Sequence, residues 1–198
     1  MKGKLPIYDI RMDEDTLGIS TISLVDDPAV AVEWMAFSKV EEEHQLKCSI
    51  IDDGMEHRVL GVVCRANFPI YRRDEKNGEY YIRFSKETIK AIAQRLLANG
   101  YQNYVNLMHD GDAYVEGVQA VEFFIKNTAM GINPKGFENV EDGSLFAVYK
   151  VDNDAVWNAI KEGVFKGFSL EGYFGYQKSG TELKTLADLL DYIRNNNK

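Results

Sequence analysis

Residues 17–25, LGISTISLV, alternate loosely between apolar and polar types and are rich in β-branched residues, which predicts a strand. The Asp-Asp-Pro at 26–28 ends it, because proline has no amide hydrogen to give a central ladder. Residues 39–58 are charge-dense and read as a connection, with QLKCSII as a short strand inside it. RVLGVVCRAN (58–67) predicts a further strand. PIYRRDEKNGEYYIRFS (69–85) predicts a hairpin turning at EKNG, where Asn-Gly accepts the positive φ of a tight turn. In SKETIKAIAQRLLANG (85–100) the period becomes helical. Ser85 is the N-cap, Ile89, Ile92, Ala93, Leu96 and Leu97 make one apolar stripe, and Gly100 closes the helix.

Strand periodicity then returns in YVNLMH (104–109), ending at DGD, in YVEGVQAVEFFIKN (114–127), which Gly117 is placed to bend, and in SLFAVYKV (144–151). DNDAVWNAIKEG (152–163) predicts a short helix capped by Asp152 or Asn153, with Val156, Trp157 and Ile160 facing inward and Gly163 at its end. FKGFSLEGYFGYQ (165–177) predicts a strand, and TELKTLADLLDYIR (181–194) a last amphipathic helix. Many strands with three helices at their connections imply an α+β fold, a small and mostly antiparallel β-barrel with peripheral helices. Residues 1–38 are expected as an N-terminal strand segment completing the barrel, 39–57 as a polar connecting region, and 58–198 as the body with its C-terminal helix.

Composition narrows the function. None of the apolar runs in the 198 residues approaches the roughly 20 needed to span a membrane. The basic residues of MKGKLPIYDIRMDEDT are not followed by an apolar stretch, so no signal peptide is expected. Cys48 and Cys64 form no close motif; the two could pair, but nothing else points to export, so a reducing cytoplasm is expected. With only His44, His57 and His109 beside them, no standard zinc set is expected, and no cofactor is called for. A net charge of −8 repels phosphate backbones and argues against nucleic acid as partner.

Two residues stand out as chemistry. His109 ends an apolar strand just before DGD, and an imidazole titrates near neutral pH. The bland alternative is a turn histidine capping backbone groups. Ser169 lies in KGFSLEG, where Gly167 leaves room for a substrate backbone, although a serine in a glycine-flanked strand is also common and the run is no G-x-S-x-G elbow. A histidine base needs a third group to fix its tautomer. Asp110, Glu116, Glu122 and Glu171 are the candidates. Glu122 stands between Val121 and Phe123-Phe124, where a carboxylate wants a partner. Glu171 is two along from Ser169 and shares its face, Glu116 shares parity with Glu122, and Asp110 points away from its neighbour His109. A metal-dependent hydrolase would instead use His109 with Asp110 or Asp112.

The order NLMHDG, VQAVEFFIKN, GINPKGF, VWNAIKEGVFKGFSLEGYF resembles the phage prohead (capsid maturation) serine proteases, in particular the XkdF type, over residues 58–176. The most specific piece is the helix W..IK.G running into GFS.EG. The resemblance implies a fold related to herpesvirus assemblin, a β-barrel wrapped by helices. It implies a serine endopeptidase that cleaves scaffold and major capsid precursors inside the prohead, in the cytoplasm of a bacterial host, and self-associates as a homodimer. Carried over by motif, His109 and Ser169 are catalytic. VEFFIKN looks like the family's VES.I..D strand, which implies Glu122 as third member, with departures at Phe123 and Asn127. ISTISLVDDPAV (19–30) looks like the EVSLV..PA segment that follows the serine in many capsid proteases, but here it precedes the histidine. That implies a circularly permuted arrangement, and the usual glutamate is Thr21. The rival expectation is a catalytically inactive, protease-like head assembly or scaffold component.

Overall fold

The computed structural model describes residues 5–12, 18–26, 48–51, 56–183 and 185–196; most of the expected connecting region, 39–57, lies outside them. Twelve strands and three α-helices are described, which makes the fold α+β. One sheet is built from Leu5–Arg11 (β1), Ile70–Asp74 (β5), Gly78–Arg83 (β6) and Gly175–Leu183 (β12), in the order β12-β1-β6-β5. A second takes Ser49–Ile50 (β3), Arg58–Cys64 (β4), Val118–Ile125 (β9) and Leu145–Val151 (β10), in the order β3-β4-β10-β9. The third takes Gly18–Val25 (β2), Val105–Leu107 (β7), Asp110–Tyr114 (β8) and Gly167–Tyr173 (β11), in the order β11-β2-β7-β8. The helices are Lys86–Ala98 (α1), Asp154–Lys161 (α2) and Leu186–Asn196 (α3). None of the described helices is long and apolar enough to cross a membrane.

The expected closed barrel is not what the described strands form; they make three separate sheets. One of the breaks falls where β11 meets β4. The ladder bonds of β11 go to β2, and its contact with β4 is a side-chain one, the Phe168 ring lying on Gly61. A Cβ at Gly61 would sit 2.7 Å from that ring, so only glycine lets the two strands approach this closely.

The unbroken apolar run of β10 follows from burial on both faces. Leu145, Ala147, Tyr149 and Val151 face the main core, and Phe146 and Val148 face a second cluster with Leu60, Val62, Phe137 and Val140. The loop that covers this second cluster is fastened by buried charge. Lys126 Nζ donates to the carbonyls of Phe137, Glu138 and Val140 at 2.9, 2.9 and 2.6 Å, and Arg65 forms a two-pronged pair with Glu141 at 2.8 and 2.6 Å. All three ammonium hydrogens of Lys126 are thus satisfied, which a buried ammonium requires.

Helix ends follow their caps. The Ser85 side chain accepts from Thr88 N, that of Asn153 from Val156 N, and Gly100 turns the chain at φ 70°. Leu97, expected in the buried stripe of α1, is exposed. At the C-terminus the expected helix over 181–194 starts later, because residues up to Leu183 belong to β12. Thr185 and Asp188 exchange side-chain to backbone hydrogen bonds, a reciprocal cap that sets where α3 begins. The segment 104–109 is likewise shorter as a strand than expected, since β7 stops at Leu107 and the chain turns back into β8.

Candidate active site

The third sheet brings three distant chain segments onto one face. Ser169 pairs with Ser23 across the antiparallel β11–β2 ladder, Ser23 pairs with Asn106 across the parallel β2–β7 ladder, and Asn106 pairs with Tyr114. Paired residues project to the same side, so these four side chains form a row. Glu171 lies opposite Thr21 in the adjoining row. The alternate residues Ile22, Leu24, Val105 and Phe168 turn into the core.

His109 reaches this face from a tight turn. Leu107 pairs with Asp110, and the two residues between them, Met108 and His109, have φ of 54° and 61°. Positive φ at both central positions is the pattern of a type I′ hairpin, which normally selects Asn or Gly. The tip is tied to β2 by the Met108 amide, which donates to Leu24 O at 2.9 Å.

The imidazole and a carboxylate meet there. His109 Nδ1 is 2.9 Å from Glu171 Oε1 and 3.1 Å from Ser23 Oγ. The same Oε1 accepts from Asn106 Nδ2 at 3.0 Å and from the Ser23 hydroxyl. Ser23 Oγ is also 2.5 Å from Asn106 Oδ1. A hydroxyl has one proton, so Ser23 cannot donate to both acceptors; the ionised carboxylate is the stronger of the two. Burial works to raise the Glu171 pKa, but the hydrogen bonds from Ser23, Asn106 and His109 together outweigh it, and the carboxyl is held below its ordinary range. Glu171 is therefore an anion with its proton-accepting oxygen aimed at Nδ1, which leaves Nε2 free to act on a second group.

The other expected residues lie as follows. Ser169 is in the row described, 3% exposed, on the edge strand of the sheet. Glu122 is exposed on β9, an edge strand of the second sheet, opposite Val148. Glu116 is exposed between β8 and β9. Asp110 Oδ1 accepts from the Asp112 amide at 3.0 Å, within strand β8. Among the described residues no three His, Cys, Asp or Glu side chains are grouped to hold a metal.

Residues 52–176 match the model of the family described as "Putative phage serine protease XkdF". The chain belongs to that family. No curated protein and no solved structure matches the chain. The XkdF match contains His109, Asn106, Ser169 and Glu171, while Ser23 lies N-terminal to it. Sequence reasoning missed Ser23 and Asn106. The signal was present as lone polar residues on one parity of apolar strands, Thr21 and Ser23 in STISLV and Asn106 in YVNLM. Both Ser23 and Asn106 have no exposed surface, and a polar group so placed demands partners.

Proposed function

We propose that the chain is a serine endopeptidase of phage capsid maturation, with Ser169 as nucleophile, His109 as base and Glu171 as the orienting acid. The observation that carries it is the Glu171–His109 Nδ1 contact on the sheet face that also bears Ser169. Ser169 Oγ attacks the scissile carbonyl and gives its proton to His109 Nε2. The imidazolium returns that proton to the leaving amine, and water then releases the acyl group by the same route in reverse. Glu171 keeps the proton on Nδ1 and stabilises the imidazolium. Glu171 is preferred to Glu122 because it touches the ring. Ser169 is preferred to Ser23 because Ser23 lies on the Nδ1 side, on an inner strand, with its oxygen engaged by Glu171 and Asn106. The substrates are scaffold and major capsid precursors within the prohead, a reading supported by the family's description as phage proteases.

A second reading, a non-catalytic head component, is favoured by one observation: Ser169 is only 3% exposed, and a nucleophile must be reached. A fluorophosphonate probe separates the two. Labelling at Ser169, found by mass spectrometry in the tryptic peptide 167–178, is expected for the enzyme, with loss of labelling in His109→Ala. Co-expressed with scaffold and capsid proteins, Ser169→Ala is expected to process them slower by about 10⁴-fold or more. Processing equal to wild type would rule the enzyme out.

A further inference from the structure

We propose that Ser23 and Asn106 are positioning residues that hold Glu171 ionised and aimed at His109, so that the N-terminal strand outside the family-matched segment is part of the active site. This rests on the assignment of His109 and Glu171 made above. Three donors converge on Glu171 Oε1: His109 Nδ1 at 2.9 Å, Asn106 Nδ2 at 3.0 Å and the Ser23 hydroxyl. They come from two segments far apart in the chain, Ser23 on β2 and Asn106 with His109 on β7 and the turn after it, and Ser23 and Asn106 have no exposed surface. A carboxylate free to rotate would spend time away from the ring. One that accepts two buried donors from β2 and β7 has a single favoured orientation, and it presents that same oxygen to Nδ1. The donors also favour the charged form over the protonated one.

The arrangement explains why β2 is central in its sheet. Glu171 on β11 stands directly opposite Thr21 of β2. The carboxylate therefore reaches the same row of the sheet from the neighbouring strand. Ser23, two residues along β2, supplies a hydroxyl to it. The N-terminal strand contributes a donor to the acid rather than the acid itself.

The test uses the full chain and two readouts. With only three histidines, the His109 ring can be followed by NMR through a pH titration. Its signal should show a low-pH inflection from Glu171, and Glu171→Gln should abolish that inflection. Ser23→Ala and Asn106→Ala, each removing one donor from a different strand, are expected to move the inflection to higher pH. Ser23→Ala is also expected to lower the rate of probe labelling at Ser169 about tenfold, and Ser23→Thr, which keeps the hydroxyl, to restore most of it. An unmoved inflection in either alanine variant that folds, or an unchanged labelling rate in Ser23→Ala, overturns the proposal. If wild type is not labelled at all, the peptidase reading fails, and the NMR titration still decides whether Ser23 and Asn106 govern the Glu171–His109 pair.

Discussion

Met108 and His109 hold left-handed backbone angles that cost an ordinary L-residue roughly 1–2 kcal/mol each. Two such residues in succession are strain kept at the turn of the proposed base, where it carries the imidazole back over Glu171. Met108 is exposed, so its backbone cost can be relieved without opening the core. Met108→Asn is expected to raise the melting temperature by about 2–4 °C, the equivalent of about 1 kcal/mol in a chain of this size. Met108→Val, a β-branched residue forced to the same φ, is expected to lower it. A thermal melt in which both variants move the same way would refute the strain argument. This turn was not legible in the sequence, because neither position carries the Asn or Gly that advertises a type I′ hairpin. His109 itself was legible as a titratable group at a strand end. Glu171 was legible only as one of several acids: period-two alternation puts it on the Ser169 face, but nothing in one strand says which other strand brings the histidine. The apolar neighbours of Glu122 suggested burial, whereas β9 is an edge strand with Val121 and Glu122 exposed.

At the scale of elements, the capped helices and the strongly patterned strands were readable. Ser85 and Asn153 announced α1 and α2, and the leucine stripe announced α3, whose start the reciprocal Thr185–Asp188 cap sets later than the stripe alone suggests. Strand β1, seven residues with Pro6 near its start, carries too little pattern to be seen alone; it forms because β12 and β6 receive it on either side. The packing of β11 on β4 was equally hidden, since it depends on one glycine facing one ring. Gly61→Ala would press a methyl group into Phe168, the residue before the proposed nucleophile. Overpacking of this kind costs about 1–3 kcal/mol, measurable by urea unfolding. Because the displaced ring belongs to the strand of Ser169, probe labelling is expected to fall as well. Phe168→Leu in the same chain should recover part of both losses, as contacting residues are not additive. Independent, additive effects would mean that the ring is not what Gly61 accommodates.

The molecule as a whole assembles its site from residues 21–23, 106–109 and 169–171, so the site exists only when strands distant in the chain have paired. Loss of the site at low pH should therefore accompany loss of the fold. Several carboxyls are held below their ordinary range. Asp74 is pulled to about 2 by hydrogen bonds from Asn77 and Tyr80, Asp142 is lowered by Thr128, and Glu138 by the Gly136 amide. Glu171 belongs to this group through its three donors. For such a group the stabilisation is fully present above the unfolded carboxylate pKa, about 4.3 for Glu. As pH falls below that value the unfolded chain takes up the proton first, and the contribution is lost as pH descends through the folded pKa. Stability should thus fall steeply below about pH 4. Glu171→Gln removes one member of the set: it keeps the shape but loses a charged acceptor, a difference of about 1.5 kcal/mol. At pH 7 the variant is expected to melt roughly 3–6 °C below wild type. The gap should narrow as pH drops below 4, because wild-type Glu171 is then being neutralised too. A gap that stays constant from pH 7 to pH 3 would mean that the charge on Glu171, and with it the ionised acid the mechanism requires, contributes nothing to holding the site together.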